Sequence, residues 1–266
     1  MQKTQKPSCT RTKPINGFLF YEPRNIYMNI FNFSGGKTSA YMVLKYWKPD
    51  DLVIFCDTGR EHPKTYKFIN DFEAFENIPI IRLAYEGGFE AILKKRGNKT
   101  LPNRMRRFCT DDLKIKTARR YLVSIGLKKY DNIIGFRFDE PRRVISHKEK
   151  LKCVTTKFPL YYDKITKDVI NDFWSKKHYT LEIPSILGNC TLCFMKGKNA
   201  ISAILTVYPE LADQWINDEE MNTKKGHTYL PNITIRQLRD IAQNNLFNGK
   251  IDLAELVPAF NCACTT

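Results

Sequence analysis

One short run in the first third of the chain, SGGKTS at positions 34–39, has the residue types that bind phosphate groups. Its two glycines let the backbone approach an anion closely, and N–H groups at the start of a following helix can hold phosphate oxygens. Lys37 adds a positive charge, and three hydroxyl groups add hydrogen-bond donors. A Walker A loop would carry a glycine where Phe31 stands, so the run predicts a phosphate-binding loop of another kind.

Three cysteines form a second candidate site. Cys190 and Cys193 make a CxxC pair, and Cys109 lies 81 positions before Cys190. A CxxC pair is typical of a redox dithiol or of half a zinc site, and the sequence has no second CxxC to complete a zinc ribbon. Residues 110–112 (TDD) predict the N-cap and first turn of a helix directly after Cys109. The positive end of that helix would favour a thiolate or an anionic cluster.

The composition places these sites in a globular protein. A chain of 266 residues, 42% hydrophobic and 12% aromatic, can bury a sizeable core. No apolar run reaches the length of a membrane span, and the basic start MQKTQKPSCTRTK lacks the apolar core of a signal peptide. We therefore expect a cytoplasmic protein without membrane contact, whose eight cysteines serve metal binding or catalysis more than disulfides.

Positive charge is concentrated in one basic region, residues 94–129. The formal net charge is +15, and this region holds thirteen Lys or Arg against only Asp111 and Asp112. Such a density repels itself unless an anion neutralises it, so we expect the region to bind a nucleic acid, tRNA or DNA. The alternative is a generally basic proteome or a device for solubility. The oligomeric state stays open, a dimer included.

Strands alternate with helices in the first half of the chain. This order predicts an α/β fold with a doubly wound, mostly parallel sheet, followed by a helical C-terminal part. The predicted strands are 28–33, 51–58, 78–85 and 131–138, and the predicted helices are 38–47, 62–75, two pieces of 200–221 divided near Pro209, and one from a capping box at Thr234 and Gln237. Phe158, Tyr161, Tyr162 and Trp174 are expected in the core more than on a base-stacking platform, and a mixed role stays open.

The chain is divided on these grounds into three parts. Residues 1–27 are expected to be an N-terminal extension, and 28–197 a nucleotide-binding domain that carries the cysteine cluster. Residues 198–266 are expected to form the helical C-terminal part, which ends in a CxC tail at Cys262 and Cys264.

Four segments resemble a known superfamily. SGGKTS resembles the PP-loop, SGGxDS, of the adenine nucleotide alpha hydrolases, also called N-type ATP pyrophosphatases. The phosphoadenosine phosphosulfate reductase-like branch of this superfamily is similar in three further segments, and the likeness extends over about 28–197. These segments are CDTGREHPKTYKFI (Cys56–Ile69), RRFCTDDLKIKTARRYL (Arg106–Leu122) and IIGFRFDEPRR (Ile133–Arg143).

The resemblance implies an enzyme that cleaves ATP, with Mg²⁺, into AMP and pyrophosphate to activate a substrate oxygen. It also implies that sulfur from a donor then displaces AMP, so that a nucleic acid is modified. Two departures bear on this activity. Thr38 stands where the PP-loop usually has Asp, and the loop keeps the SGG that sulfonucleotide reductases replace.

The cysteines are similar to those of cluster-bearing members of the branch, which have adjacent cysteines followed, after a long gap, by CxxC. Phe108 takes the first of these places, so three of the four ligands of a 4Fe-4S cluster match. Cys262 or Cys264 supplies the fourth, or the cluster has three cysteine ligands and one open iron. Zinc, or no metal, are the alternatives.

The function expected from these features is an ATP-dependent sulfurtransferase. A sulfonucleotide (APS/PAPS) reductase that uses a C-terminal cysteine and a catalytically idle nucleotide or nucleic-acid binding module are the alternatives. The expected nucleotide-binding residues are Ser34, Gly35, Gly36, Lys37, Thr38, Ser39, Asp57, Arg137 and Arg142. The expected metal ligands are Cys109, Cys190, Cys193 and Cys264, and the expected catalytic residues are Lys37, Cys262 and Cys264.

Overall fold

A computed structural model describes residues 28–148, 153–224, 226–244 and 253. Its centre is a five-stranded sheet in the order β3-β2-β1-β4-β5, and every neighbouring pair of strands is parallel. The strands are β1 (Met28–Asn32), β2 (Leu52–Asp57), β3 (Ile80–Ala84), β4 (Tyr130–Ile133) and β5 (Val154–Lys157). The predicted α/β fold with a parallel sheet is confirmed, and β5 is a strand that the sequence patterns did not predict.

Ten α-helices accompany the sheet within these described residues. A π-helical segment, Thr110–Ile115, runs directly into the fourth of them. The helices are α1 (Lys37–Tyr46), α2 (Pro63–Glu76), α3 (Gly88–Lys94), α4 (Lys116–Ser124), α5 (Pro141–Ile145), α6 (Pro159–Tyr162), α7 (Lys167–Ser175), α8 (Lys198–Val207), α9 (Asp213–Met221) and α10 (Ile235–Asn244).

The two faces of the sheet are covered unequally. Because side chains alternate along a strand, Phe31 and Val53 point to one face, where α1, α2 and α7 bury them. Ile30 and Ile54 point to the other face, where they pack with Leu122 of α4 in a much smaller cluster. Since fewer helices cover the second face, space remains there beside the strands, and the larger cavity described below occupies it.

The C-terminal helices build a core of their own. Residues of α8, α9 and α10 pack with the segment that carries the CxxC pair and with α3, rather than against the sheet. Trp215 and Leu238 are among the buried side chains of this second core. The helical C-terminal part therefore supports the neighbourhood of the cysteines.

Two local predictions in this part are confirmed. The first is the break near Pro209: α8 ends at Val207, a short 3₁₀ turn at Pro209–Ala212 follows, and α9 then begins. Proline cannot continue the hydrogen bonding of a helix, which explains the break. Thr234 Oγ1 accepts from the Gln237 N–H at 3.1 Å, and Gln237 Oε1 accepts from the Thr234 N–H at 3.0 Å, which is the predicted capping box.

Some predictions concern residues outside the described ranges: the N-terminal extension 1–27, and Cys262 and Cys264 of the CxC tail. Among the helices that the structure does describe, none has both the length and the apolar character needed to cross a bilayer.

Candidate functional site

The SGGKTS loop joins β1 to α1 in a tightly bonded turn. Gly35 has a φ of +71°, and a Cβ there would lie 2.7 Å from Cγ2 of Thr65 on α2, so only glycine fits. The Ser34 N–H donates to Ser39 Oγ at 3.1 Å, and that hydroxyl donates to the Gly36 carbonyl at 3.0 Å. These bonds hold the loop in a single shape before any ligand binds.

The start of α1 has the properties of an anion site. No side chain hydrogen-bonds to its cap, and its first turn has no acidic residue. The first N–H groups and the positive end of the helix dipole are therefore available to phosphate oxygens. Lys37, half-buried in this turn, adds a cation, and burial lowers the pKa of its ammonium group. Its carbonyl accepts from Trp174 Nε1 at 2.9 Å, which anchors the turn to α7.

The loop lies at the switch point of the sheet. β2 and β3 lie on one side of β1, and β4 lies on the other side. In open parallel sheets, ligands bind at the ends of the strands where the order reverses in this way. The loop after β4 carries Arg137, whose Nη1 donates to Thr38 Oγ1 at 3.4 Å. The structure thus brings together Thr38 and Arg137, which are 99 positions apart.

Arg137 and its neighbours form a network of ion pairs. Arg137 Nε lies 2.9 Å from Asp139 Oδ1, and Arg143 Nη1 lies 2.7 Å from Glu140 Oε1. The pKa of Asp139 is lowered overall because hydrogen bonds and charge from Arg137 outweigh its burial. These carboxylates are already engaged with arginines, so in this arrangement they orient cations rather than present themselves to Mg²⁺.

A cavity of about 500 Å³ opens beside the loop on the less covered face of the sheet. This volume is within the range of small-molecule sites. Its floor is the strand face with Ile30 and Ile54, and Ser34 of the loop reaches its edge. Six cations also line it: Arg107, Lys114, Arg119, Arg142, Arg143 and Lys148. The cavity therefore combines an apolar floor, which suits a base, with a positive wall, which suits phosphates.

Asp57 does not line this cavity. Its Oδ1 accepts from the Gly59 N–H at 2.7 Å and from the Tyr66 hydroxyl at 2.8 Å. The carboxylate thus fixes the turn after β2 and ties it to α2. Asp57 therefore has a structural role in this turn. Its predicted contact with a nucleotide stays a prediction.

Cys109, Cys190 and Cys193 line one small cavity of about 20 Å³, although the first lies 81 positions before the second. Phe89, Leu113, Phe194 and Trp215 supply its apolar wall. The hydroxyl of Thr58 lies 3.4 Å from Cys190 Sγ. The structure thus brings the three predicted cysteine ligands together in a pocket largely sealed by aromatic and aliphatic side chains.

The prediction that a helix start activates Cys109 is wrong for the metal-free thiol. Helical backbone already begins at Phe108, so Cys109 lies inside the first turn and Thr110 is not the N-cap. Burial raises the pKa of the Cys109 thiol to about 11, and the nearby Cys193 adds to the shift. Burial and then the charge of Glu61 raise the pKa of Cys190 to about 12. A bound cation or cluster would be needed to stabilise thiolates here.

Three charged residues that were not predicted from the sequence support the CxxC turn. Lys196, 5% exposed, donates to the carbonyls of Cys190 and Thr191, each at 2.7 Å. Burial lowers the pKa of Lys196 to about 8. Glu61 pairs with Cys190 in an isolated antiparallel bridge, and the Arg60 carbonyl accepts from the Thr191 N–H at 2.8 Å. The sequence signal for Lys196 was its place in the apolar run CFMKG, where a lysine is unusual.

Arg60 also links this turn to the C-terminal helices. Its Nη2 lies 2.8 Å from Asp218 Oδ2, and the two side chains are 5% and 1% exposed. The Tyr229 hydroxyl donates to the same Asp218 oxygen at 2.7 Å, and the guanidinium lies over the rings of Phe89 and Trp215. Because Phe89 and Trp215 line the cysteine cavity, this buried ion pair helps to shape it.

The thiols match a soft metal in chemistry, since Cys thiolates hold zinc and iron–sulfur clusters. Across the described ranges, no group of three or more His, Cys, Asp or Glu side chains is arranged to hold one metal ion. A cubane spreads its ligands over several iron atoms, so its cysteines need not converge on one point. The donor set fits a cluster or a zinc ion in its chemistry, and the cavity of about 20 Å³ would have to open to admit a cluster.

The two cavities share a wall. Thr110 and Lys114, both on the π-helical segment, line the large cavity and the cysteine cavity alike. Charges of Cys190, Glu61, Cys56 and Cys193 outweigh burial and raise the pKa of Lys114. Lys114 thus lies between the thiols on one side and the larger cavity on the other.

Known proteins and one family model are similar to this chain. Residues 28–160 match the family model of the phosphoadenosine phosphosulfate reductase domain. An uncharacterised nin region protein of Escherichia phage lambda, ORF290, is 29% identical over 206 residues, which is 65% of this chain and 68% of that protein. The uncharacterised protein MJ0973 of Methanocaldococcus jannaschii is 27% identical over 70% of this chain, which spans 46% of the archaeal protein.

A solved structure is also similar. The crystal structure of phosphoadenylyl-sulfate (PAPS) reductase from Candida auris, a phosphate complex, aligns with 57% of this chain and 72% of its own. Its sequence identity is 18% and its TM-score is 0.40.

Proposed function

Because the chain belongs to the phosphoadenosine phosphosulfate reductase domain family, we propose that it is an ATP-dependent sulfurtransferase. It forms AMP and pyrophosphate from ATP and transfers sulfur to a nucleic acid. The observation that carries this proposal is the SGGKTS loop, which keeps the SGG of the PP-loop, at the switch point beside a cavity of about 500 Å³ with a cationic wall.

The nucleotide step uses the loop and the arginines around it. The N-terminal N–H groups of α1 and the Lys37 ammonium hold the leaving pyrophosphate, and Mg²⁺ arrives bound to the triphosphate. Arg142 and Arg143, which line the cavity, stabilise the charge that develops on the α-phosphate when a substrate oxygen attacks it. The Thr38 hydroxyl, which is neutral, accepts a hydrogen bond from Arg137. The positive charge of Arg137 is therefore neutralised less than it would be by an Asp at position 38.

The sulfur step depends on the three cysteines. Cys109, Cys190 and Cys193 would hold an iron–sulfur cluster, which supplies sulfide-binding and electron-transfer chemistry when bound. The shared wall of Thr110 and Lys114 supports a path between the two reactions, because a substrate in the large cavity lies one side chain away from the thiols. Lys114 would balance the negative charge of the thiolates and attract an anionic intermediate.

The nucleic acid is proposed to lie along the basic region. Ten of its thirteen cations are exposed, and three of the thirteen (Arg107, Lys114 and Arg119) line the large cavity. Ion pairs between described residues involve Lys94, Arg96 and Lys116. The basic surface is thus continuous with the candidate active site, and binding should weaken steeply as salt concentration rises.

Anaerobic purification followed by three measurements tests this function. Iron, sulfide and zinc are quantified, ATP products are separated, and sulfur is followed into the nucleic acid that co-purifies. The proposal expects about four iron and four sulfide per chain for a cubane cluster. It also expects AMP with pyrophosphate. A protein that consumes no ATP with any nucleic acid offered would overturn the nucleotide step.

Reduction of a sulfonucleotide is the second candidate, because the matching family model is that of the phosphoadenosine phosphosulfate reductase domain. In that reaction the activated sulfur is already attached to the nucleotide, so ATP is not cleaved. Release of sulfite from APS or PAPS, lost in Cys262→Ser or Cys264→Ser, would favour this candidate. Tight ATP binding without any turnover would instead favour an idle binding module, with Thr38 as the site of the loss.

A further inference from the structure

Three aromatic side chains form a small group next to Arg137, and two of them are largely exposed. Phe138 follows Arg137 and is 43% exposed, and Tyr162, the last residue of α6, is 64% exposed. Tyr161 joins them, because its ring centroid lies 5.7 Å from that of Phe138 and 5.9 Å from that of Tyr162. We call these three side chains the aromatic row. Tyr162 corrects the expectation that all the aromatic residues of this segment belong to the core.

The core does not account for the exposed members of the row. Phe158 and Trp174 are buried, as predicted, and Phe158 stacks on Phe136 with 5.3 Å between ring centroids. Tyr161 packs against that cluster and anchors the row. Phe138 and Tyr162 extend from this anchor into solvent, where apolar rings gain no free energy from burial.

The row has a defined position relative to the nucleotide site. The Phe138 N–H donates to the Ile165 carbonyl at 2.9 Å, which fixes the loop after β4 against the segment after α6. The preceding residue, Arg137, reaches Thr38 of the phosphate loop. The aromatic row is therefore connected to the phosphate loop through Arg137, the residue before Phe138.

Exposed cations lie close to the row in the sequence: Lys164, Arg142 on α5 and Lys167 on α7. The neighbouring carboxylates of Asp139 and Asp163 are engaged by Arg137 and by the Tyr46 hydroxyl. Exposed rings near positive charges suit a polymer that alternates bases and phosphates, since bases stack on aromatic side chains and phosphates bind cations. In a duplex the base faces are covered by neighbouring pairs, so such a surface selects unpaired bases.

We propose that the aromatic row is a stacking platform for unpaired bases of a single-stranded nucleic acid, whose phosphates contact Arg142, Lys164 and Lys167. This inference rests on the proposed function in one respect: the bound strand leads its target base to the candidate ATP site. It makes the substrate of that site a single strand, a loop or an extruded base rather than an intact duplex.

Fluorescence anisotropy with a labelled strand of about 12 nucleotides, alone and in a duplex, tests the platform over a range of salt concentrations. The variants are Phe138→Leu and Tyr162→Leu. The matched control is Phe75→Leu, which removes a ring of similar exposure (54%) on α2. Tyr162→Phe keeps the ring and should bind as the wild type does, which separates loss of stacking from loss of the fold.

Each Leu variant should weaken single-strand binding about tenfold with no change in its salt slope, because stacking releases no counterions. Lys167→Gln should instead lower the salt slope by about one. Wild-type affinity in both Leu variants, or an equal loss on the duplex, overturns the platform. Absence of AMP and pyrophosphate overturns the proposed function alone, because the anisotropy measurement needs no turnover.

Discussion

The phosphate loop connects a strand to a helix within a few residues, whereas the cysteine cavity takes its thiols from two segments 81 positions apart. Regular elements position the first site. β1 and α1 fix both ends of the loop, and hydrogen bonds between Ser34, Gly36 and Ser39 fix its middle. Cys190 and Cys193 lie on irregular chain, whereas Cys109 lies in the first turn of a helix, and a separate core of C-terminal helices packs with these segments.

This difference predicts how each site responds to mutation. The sheet stabilises the phosphate loop, so mutations in the C-terminal helices should leave nucleotide binding intact. The cysteine cavity depends on one buried ion pair, Arg60–Asp218, that crosses between the two parts of the chain. A defect in the C-terminal helices should therefore reach the cysteines first.

Cys193→Ser should separate the two sites most completely. Removal of a thiol from the cysteine cavity should reduce both metal content and sulfur transfer to background, because a serine hydroxyl is a poor ligand for soft metals. ATP binding should remain. Metal analysis and nucleotide titration check the two halves, and Cys56→Ser, outside the cysteine cavity, is the control. Equal loss of ATP binding in Cys193→Ser would mean that the sites are not separate.

Asp218→Ala should destabilise the protein by about 3–5 kcal/mol, because it leaves Arg60 buried without its partner. Denaturant unfolding measures the change in free energy of unfolding. The control, Asp71→Ala, removes a partner of Lys67 from an exposed pair on α2 and should cost less than about 1 kcal/mol. Similar losses in the two variants would show that the Arg60–Asp218 pair does not hold the C-terminal core.

Lys37→Ala should lower kcat/KM for AMP formation about 10²–10³-fold, since it removes a cation from the developing charge on the phosphates. Metal content should not change, because Lys37 is remote from the cysteines. Steady-state kinetics measure the effect. Lys45→Ala, which removes an exposed cation from the last turn of the same helix, should leave the rate close to that of the wild type.

The smallest expected effect is on the alkylation rate of Cys56, which lines the large cavity. Burial raises the pKa of its thiol from 9.0 to about 11, so at neutral pH its thiolate fraction is about 100-fold below that of an ordinary cysteine. Alkylation should therefore be slow and should accelerate as the pH rises towards 11. Because Cys56 lines the large cavity, AMP should slow it further. Mass spectrometry of labelled peptides measures the rate of Cys56 alkylation. If AMP does not change that rate, the nucleotide does not bind in the large cavity.

Much of the nucleotide site could be predicted because its signals are local. The glycines, the hydroxyls and Lys37 follow one another between an apolar strand and an amphipathic helix. β5 could not be predicted, because VTTK is a four-residue edge strand with little apolar content. Asp57 was expected to contact a nucleotide, which stays a prediction, and its hydrogen bonds to the Gly59 N–H and the Tyr66 hydroxyl were not visible in the sequence.

The supports of the cysteine site were not visible in the sequence. Arg60 and Asp218 are 158 positions apart, and no periodic pattern relates them. The pKa of Cys109 was misjudged because the sequence shows the charges near a thiol but not its burial, and burial is the larger effect here. Tyr162 was expected in the core because an aromatic residue in an apolar run gives no sign of which face it occupies.

The products formed from ATP test the central claim most directly. Anaerobically purified protein is incubated with α-labelled ATP and single-stranded nucleic acid, with the Lys37→Ala variant beside it. We expect labelled AMP and an equal amount of pyrophosphate, both dependent on Lys37, together with sulfur bound to the nucleic acid. Formation of ADP and phosphate, or sulfite release from a sulfonucleotide without any cleavage of ATP, would contradict the central claim.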